Sequence, residues 1–311
     1  MKVCLDCGNR FAESDWQCIR CGQQPIRAEF WTFAPDLDGQ DDFIEADSFE
    51  RLAKLESGSF WFRARNELIG WALHRYAPHT KSFMEIGCGT GFVLAGVQRA
   101  FPTIELTGAD VHQSGLRFAR GRVPGANLLQ LDARRLPFDS EFDAVGAFDV
   151  LEHIDEDVQV LGEMGQAVKP GGTILVSVPQ HELLWSAADD YAHHRRRYER
   201  REIRAKLHAA GLEVVSIVSF VSILLPLLVA SRIRQRGSVA TYDPTAELKV
   251  SPTLDRALET VMRLERWLIR GSVRFPAGGS LMAVARRPIN GSAPGPGSGT
   301  QAAVRDSGAP Q

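Results

Sequence analysis

The chain has 311 residues, enough for one large α/β domain with a small appendage or for two modest domains. Its 44% hydrophobic and 24% charged residues are ordinary for a soluble globular protein. A formal net charge of -2 argues against nucleic acid as a partner of the molecule as a whole.

The start of the chain contains four of the five cysteines, in two Cys-x-x-Cys pairs. Cys4 pairs with Cys7 and Cys18 with Cys21, and a glycine follows each pair. This distribution suits metal ligation in a reducing compartment better than a disulfide framework. Four thiolates around one tetrahedral ion would stabilise a segment that has little to form a core. We predict a zinc-ribbon-like segment at 1–27 with one structural zinc; a redox dithiol is the alternative.

The N-terminus shows no apolar stretch with a small-residue cleavage site, which predicts no secretory signal and a cytoplasmic protein. Residues 28–58 are rich in aspartate and glutamate and predict an acidic linker that runs into a helix. The main domain is predicted at 59–288. Its first helix covers Phe60 to Tyr76, where apolar residues recur at helical spacing before Pro78.

The main domain then alternates strand and helix signals. Strands are predicted at SFMEIGC, IELTGADV, NLLQLDA, FDAVGAF and TILVSVP, and helices at FVLAGVQRAF, SGLRFARGR and DVQVLGEMGQAV. Strands and helices that alternate at this spacing form βαβ units. We therefore predict an α/β fold with a doubly wound, mostly parallel sheet.

A glycine-rich turn follows the first of these strands, at Gly87, Gly89 and Gly91. Glycines at a strand-to-helix turn let the backbone approach a ligand closely. A dinucleotide fold would use Gly-x-Gly-x-x-Gly spacing and bind a pyrophosphate. Here the spacing is Gly-x-Gly-x-Gly and Glu85 precedes it. That carboxylate would repel a pyrophosphate and suits a ligand with an ammonium group.

Three further acids end predicted strands, at the sheet edge where ligands bind in open α/β folds. Asp110 ends the second strand, where a carboxylate can accept both ribose hydroxyls. Asp132 ends the third, where it can accept a hydrogen bond from an adenine amino group, and Asp149 ends the fourth. The pattern favours a ligand that contains adenosine.

In these motifs the chain resembles the class I methyltransferases, and among them the type 11 branch that methylates small molecules. The matching pieces are EIGCGTG, Asp110, LDARRLPF, FDVLEHI and KPGG, in that order, over roughly residues 60–212. The segment SLMAVARRP resembles the family's closing antiparallel strand. The resemblance implies a Rossmann-like, mostly parallel seven-stranded sheet and S-adenosyl-L-methionine as cofactor.

The resemblance also implies where the methionine end of the cofactor would lie. Gly87, Gly89 and Gly91 would approach it, and Glu85 would lie near its amino group. Asp149 would face the same end.

The resemblance also implies which residues would bind the adenosine part of the cofactor. Asp110 would bind the ribose, and Asp132 with Ala133 would bind the adenine. The ring of acids at the sheet edge would then follow the length of the cofactor.

Histidines near the predicted strand ends are candidates for a catalytic base. A sulfonium is already an activated methyl donor, but an oxygen or nitrogen acceptor must lose a proton. His153, His193 and His194 are the candidates. The alternative for His153 is a loop residue that orders its motif, as the LEH triplet does in the family. For the other two, a purely structural role in the loop is the alternative.

The chain beyond the fifth strand predicts a helix at EIRAKLHAAG and then an apolar run from Val214 to Ala230. A membrane span needs about 20 apolar residues, and Pro226 interrupts this shorter run. We predict a sixth strand from Glu213 to about Phe220 and a short helix from Ser222 to Arg236. That helix is either a cap on the active site or a surface for peripheral membrane contact at about 222–236.

An amphipathic helix at 254–270 completes a predicted insertion at about 221–272. The tail at 289–311 is mostly Gly, Pro, Ser and Ala and is predicted to be disordered.

Together these patterns predict an S-adenosylmethionine-dependent methyltransferase. Its acceptor would be an oxygen, nitrogen or carbon atom of a small or lipid-linked metabolite. Two alternatives are a catalytically inactive cofactor-binding or regulatory protein that works through the zinc ribbon, and an RNA methyltransferase.

Overall fold

A computed structural model describes residues 1–13, 15–39, 48–235 and 251–289. The strands are β1 (Lys2–Val3), β2 (Arg10–Phe11), β3 (Ile26–Arg27), β4 (Trp31–Thr32), β5 (Ser82–Ile86), β6 (Glu105–Asp110), β7 (Asn127–Gln130), β8 (Phe142–Phe148), β9 (Val168–Pro179), β10 (Glu213–Phe220) and β11 (Ser280–Arg286). The α-helices are α1 (Ser48–Glu56), α2 (Phe60–Tyr76), α3 (Phe92–Ala100), α4 (Gln113–Arg122), α5 (Asp157–Ala167), α6 (Ala187–Tyr191), α7 (Arg200–Ala209), α8 (Leu225–Gln235) and α9 (Pro252–Arg270). The predicted tail, apart from Ile289, lies outside the described residues.

Within the described residues the main sheet has nine strands, in the order β10-β11-β9-β8-β5-β6-β7-β4-β3. Strands β5 to β9 run parallel to one another, and β11 lies antiparallel between β9 and β10. Helices cover both faces: α5 and α7 pack on one, and α2, α3, α4 and α9 on the other. The predicted doubly wound α/β fold and the strand from Glu213 to Phe220 are confirmed.

The sheet extends beyond the seven predicted strands because β3 and β4 join its β7 edge. Trp31 and Thr32 lie parallel to Leu129 and Gln130, and β3 turns back against β4. Residues 26–32, where the sequence predicts the end of the ribbon and the start of the linker, therefore also form the edge of this sheet. Strands β3 and β4 have two residues each, too few to show the alternation of apolar and polar residues that predicts a strand. They form here because the edge strand β7 offers unpaired backbone hydrogen-bonding groups.

The N-terminal segment, residues 1–27, is docked on the main domain. The backbone N–H of Val3 donates to the carbonyl of Pro137 at 2.9 Å, and that of Asp139 donates to the carbonyl of Met1 at 2.8 Å. The Trp16 ring lies 5.6 Å from the ring of Phe138, with both side chains buried. The segment thus shares the core of the larger domain.

A cap follows β10, formed by the turn at Val221 and by α8, which corresponds to the predicted helix. Val221 has a left-handed φ of 58°, which is strained for a β-branched residue. The buried carboxylate of Glu265, on α9, accepts hydrogen bonds from the backbone N–H groups of Ser222 and Ile223, both at 2.7 Å. Helix α9 therefore fixes the turn that positions α8. Among the described helices, none combines the length and apolar character that crossing a bilayer requires.

Candidate active site

A cavity of about 750 Å³ opens at the carboxyl ends of β5 and β8. The chain leaves β5 toward β6 on one side and β8 continues to β9 on the other, so this is the switch point where open α/β sheets bind ligands. Of the predicted site residues, the cavity is lined by Glu85, Gly87, Gly89, Asp149 and His194. The remaining predicted residues are not part of its lining: Gly91, Asp110, Asp132, Ala133, His153 and His193.

The glycine loop between β5 and α3 needs residues without side chains. Gly87, Gly89 and Gly91 have left-handed φ angles of 68°, 48° and 75°. A Cβ on Gly87 would lie 2.4 Å from Val150, and one on Gly91 would lie 2.8 Å from the Cα of Ala119. The backbone at these positions is therefore both conformationally restricted and closely packed.

Two oppositely charged side chains are buried beside this loop. Glu85 is 2% exposed, and its Oε2 has no hydrogen-bond partner among the described residues. Burial raises the pKa of Glu85 well above its ordinary value, and the Arg65 guanidinium opposes that rise. Arg65 forms an ion pair with Asp149, but its Nε lacks an acceptor within the described part of the chain. This end of the cavity therefore has an unused acceptor beside an unused donor.

The sequence analysis missed Arg65. It lies on α2 between Phe62 and Leu68, which are buried in the same face of the helix, and its guanidinium is 4.6 Å from the ring of Trp61. Burial lowers its pKa to about 10. A charged residue within an apolar stripe is the only signal in the sequence. The apolar spacing predicts the helix but gives Arg65 no role in the site.

Asp149 occupies the turn after β8 with a left-handed φ of 57°. Its Oδ1 accepts a hydrogen bond from the Ser177 hydroxyl at 3.2 Å, and Oδ2 faces Arg65. It lines the cavity beside the glycine loop, and its charge is already neutralised by Arg65. The expected roles of the site residues stay predictions.

The two acids expected to bind adenosine make contacts of their own. Asp110 accepts hydrogen bonds from the backbone N–H groups of Gly89 at 2.8 Å and His112 at 2.9 Å. Asp132 accepts from the backbone and side chain of Arg134. A carboxylate has about four lone-pair positions, so each acid keeps acceptor capacity for a ligand. Asp110 is also structural, since it ties the glycine loop to the end of β6.

Helix α1, at the end of the predicted acidic linker and helix, covers the glycine loop. The buried carboxylate of Glu56 accepts a hydrogen bond from the Thr90 hydroxyl at 2.7 Å and pairs with Arg122. Phe49 lies across the loop, 3.8 Å from where a Cβ on Gly89 would stand. This part of the acidic segment therefore belongs to the site.

Glu152, His153 and His194 lie together, and we call them the polar corner. Glu152 and His194 line the cavity, whereas His153 is exposed and lies outside its lining. Glu152 is fully buried, and burial raises its pKa to about 8. The rings of His153 and His194 are 4.8 Å apart. His194 Nδ1 lies 2.8 Å from a carboxylate oxygen of buried Asp189, which leaves Nε2 for other contacts.

The third candidate base, His193, is exposed and does not line the cavity. Its left-handed φ of 54° belongs to the turn that aims its neighbour His194 inward. The sequence favoured neither residue, because the direction of a side chain in a loop depends on backbone angles that the residue types do not reveal.

One wall of the cavity is mostly apolar. The cap contributes Val221, Leu224, Leu227 and Leu228 together with Ser231 and Arg232, and α9 contributes Leu254 and Leu258. In the cap, Leu224 and Leu228 are partly buried, Ile223 is 37% exposed, and Leu227, which also lines the cavity, is 59% exposed. The cap therefore has apolar side chains toward the cavity and apolar surface toward solvent.

The four N-terminal cysteines meet at one point. Their Sγ atoms lie within 4.8 Å of one another, with Cys4 to Cys21 and Cys7 to Cys18 both at 3.6 Å. Sulfur atoms around a tetrahedral zinc at about 2.3 Å would be roughly 3.8 Å apart. The thiols therefore fit such an ion without rearrangement.

The backbone around the cysteines repeats itself. Gly8 N–H donates to Cys4 O at 2.9 Å, and Gly22 N–H donates to Cys18 O at 2.8 Å. Both glycines have left-handed φ angles. Backbone N–H groups of Cys21 and Arg20 hold the pKa of the Cys18 thiol below its usual range, at about 6. Each pair thus forms a tight turn, and in the second pair that turn favours the thiolate of Cys18.

Comparison with known proteins supports the resemblance. Residues 84–176 match a family model described as a methyltransferase domain. A protein of Mycolicibacterium smegmatis, named a probable S-adenosylmethionine-dependent methyltransferase, is 28% identical over 51% of this chain and 62% of its own length. A ubiquinone/menaquinone biosynthesis C-methyltransferase of Bordetella parapertussis is 33% identical over 42% of this chain and 58% of its own. The chain spans about three fifths of the length of these curated relatives.

Among solved structures, a Haemonchus contortus phosphoethanolamine N-methyltransferase 2 in complex with S-adenosyl-L-methionine superposes with a TM-score of 0.54. It is 17% identical, and the match covers 80% of this chain and 58% of that one. At this identity the likeness concerns the fold. The fold is the α/β Rossmann-like methyltransferase fold, as predicted.

The geometry of the glycine loop gives a direct test. Gly91→Ala should lower the free energy of unfolding by about 2 kcal/mol or more, because it adds a left-handed alanine and a clash with the backbone of α4. Urea denaturation followed by circular dichroism measures the change. Gly121→Ala is the matched control, since nothing lies within 4 Å of its added Cβ. Equal stability of the two variants would show that the loop has another conformation in solution.

Proposed function

We propose that this protein transfers a methyl group from S-adenosyl-L-methionine to an acceptor on a small or lipid-linked metabolite. One observation carries the proposal: the unused acceptor of Glu85 and the unused donor of Arg65 flank the glycine loop. The methionine part of the cofactor has an ammonium group and a carboxylate. These two charges complement the two buried groups.

The chain's own residues would position the reaction. The bound cofactor supplies a sulfonium methyl group that is already activated for transfer. Glu85 and Arg65 would bind the amino-acid end, and α1 and the cap would exclude water. His194, oriented by Asp189, lines the cavity and would receive the proton of the acceptor.

The shape of the cavity supports an acceptor with an apolar part. The cavity has both the mostly apolar wall and the polar corner, so a bound molecule would place its reactive atom at the corner and its hydrocarbon against α8. The Bordetella relative is named for ubiquinone/menaquinone biosynthesis. That name supports a small or lipid-linked acceptor for the present protein.

The cofactor assignment is tested by calorimetry with S-adenosyl-L-methionine. Arg65→Met should weaken binding by roughly 10- to 150-fold, which corresponds to the loss of a hydrogen bond to a charged group. Arg75→Met, an exposed arginine on the same helix, should bind as the parent does. Unchanged affinity in Arg65→Met would contradict the assignment.

A transfer assay with labelled methyl groups then separates the functional classes. Transfer to a metabolite or lipid extract supports the proposal, and transfer only to RNA supports the RNA methyltransferase. Cofactor binding without transfer to either pool would favour a regulatory protein that has lost catalysis.

We also propose that Cys4, Cys7, Cys18 and Cys21 bind one structural zinc. The convergence of their thiols and the docking of Trp16 on Phe138 support this. The ion would then stabilise both the N-terminal segment and the edge of the sheet.

Elemental analysis should find one zinc per chain that resists dialysis. Cys18→Ser should lose it and lower the melting temperature of the whole domain, because Cys18 is buried in the shared core. Cys88→Ser should keep the zinc, since Cys88 lies apart in the glycine loop. A parent protein without zinc after purification in reducing, chelator-free buffer would overturn the proposal.

A lipid-linked acceptor would require the cap to meet a membrane surface. We propose that the exposed Ile223 and Leu227 of the cap make this contact. Sedimentation with anionic vesicles at low salt should pellet the parent, whereas Ile223→Glu with Leu227→Glu should stay in the supernatant. Ile26→Glu, 54% exposed at the opposite edge of the sheet, is the control and should pellet. If the parent itself stays in the supernatant, α8 is only a cap and the acceptor is soluble.

A further inference from the structure

The polar corner contains a buried carboxylate whose hydrogen bonds are unmade. Glu152 is 0% exposed, and neither Oε1 nor Oε2 has a hydrogen-bond partner among the described residues. An unpaired buried charge costs several kcal/mol, so this group calls for a partner. Methyl transfer as proposed above does not supply one, because the cofactor's ammonium group is assigned to Glu85.

We propose that Glu152, His153 and His194 bind a divalent transition-metal ion at the acceptor end of the cavity. One ligand atom from each residue lies within 4.8 Å of the other two. Two imidazoles and one carboxylate form a set that binds such ions with coordination positions left open. Ligand atoms bound to an ion at about 2.1 Å would be roughly 3–3.5 Å apart. Side-chain rotations that move these atoms by about 1 Å would therefore complete the site.

His194 already has its other ring nitrogen occupied, since the Asp189 carboxylate is 2.8 Å from its Nδ1. Metal-binding histidines are usually oriented in this way by a carboxylate or a backbone carbonyl. Asp189 is in turn held by Arg197 at 2.8 and 2.9 Å. The outer contacts that would orient His194 as a metal ligand are therefore in place.

The backbone holds the two halves of the site together. The N–H of Arg195 donates to the carbonyl of Glu152 at 2.7 Å, which joins the loop of His194 to the turn at residues 151–153. The nearby buried cations are neutralised by other acids, since Arg65 pairs with Asp149 and Arg197 with Asp189. The carboxyl group of Glu152 remains without a cation of its own, and a bound cation would stabilise its carboxylate form.

The purpose of the ion rests on the proposed methyl transfer. The ion would bind an acceptor hydroxyl and lower its pKa, so that its proton leaves to bulk water. The oxygen then forms a bond to the methyl carbon as the carbon–sulfur bond breaks, and sulfur keeps the electron pair as a neutral thioether. This would narrow the acceptor to a hydroxyl group and give His194 the role of a ligand in place of a base.

Manganese is the probe of choice, because Mn²⁺ prefers oxygen and nitrogen ligands to the thiolates of the N-terminal segment. Full-length protein without a histidine tag is dialysed against EDTA and then against chelator-free buffer. It is titrated with Mn²⁺ while the electron paramagnetic resonance signal reports the free ion. We expect one Mn²⁺ per chain.

Variants locate the site. Glu152→Gln and His194→Ala should each weaken Mn²⁺ binding at least tenfold, while His208→Ala, an exposed histidine on α7, should bind as the parent does. Asp189→Asn should weaken binding roughly 10- to 100-fold although it does not touch the ion. Circular dichroism of each variant checks the fold, and Mn²⁺ should raise the melting temperature of the parent but not of Glu152→Gln.

Absence of stoichiometric Mn²⁺ binding by the parent would overturn the site, as would full binding by both Glu152→Gln and His194→Ala. Calorimetry with S-adenosyl-L-methionine on the metal-free protein separates this result from the proposed function. Cofactor binding without Mn²⁺ binding would disprove the metal site alone. Mn²⁺ binding without cofactor binding would disprove the proposed function and support the metal site.

Discussion

The burial of charged groups at the ends of β5 and β8 is the constraint on which the site depends. Taking an ion out of water costs several kcal/mol unless a partner and hydrogen bonds replace the lost hydration. Arg65 and Asp149 partner each other, and Asp189 is partnered by Arg197 and His194. The same region leaves Glu85 and Glu152 with unmade hydrogen bonds. Bound ligands would supply the hydrogen bonds that these two groups lack.

A series of hydrogen bonds connects the four N-terminal cysteines to the region of this site. From the cysteines the chain forms β3 and β4 on the sheet edge. There the side chain of Gln130 donates to the carbonyl of Ala34 at 2.6 Å and accepts from its backbone N–H at 3.0 Å. Past Ala34, the Asp38 carboxylate accepts from the N–H of Gln113 at the start of α4 at 3.1 Å. An ion that stabilises the cysteine turns therefore also stabilises the edge beside the expected adenosine end.

Much of the fold could be predicted because its signals are local. Parallel strands buried on both faces are continuous apolar runs, and all seven predicted strands are present. The glycine loop was equally readable, since three left-handed turns need three glycines. The elements beside the site, β3, β4 and α1, were harder to predict because they are short or polar. The position of β4 depends on its pairing with the edge strand β7, and that of α1 depends on contacts with Thr90 and Arg122, far along the chain. Arg65 and Glu152 were missed for a related reason, because a residue type does not reveal that its charge will be buried.

The arrangement of the cavity relates these parts to one reaction path. The glycine loop and the buried pair of Glu85 and Arg65 define one end, and the polar corner defines another. The cap closes the side between them with leucines, so water has little to bind there. On the proposed function, a methyl group bound beside the loop would be transferred to an acceptor that has a polar atom for the corner and hydrocarbon for the cap. On this view, selectivity resides in α8 and α9, whereas the cofactor end depends on the sheet, α2 and the glycine loop. Changes in the cap would then alter which acceptor reacts without altering how the methyl donor is bound.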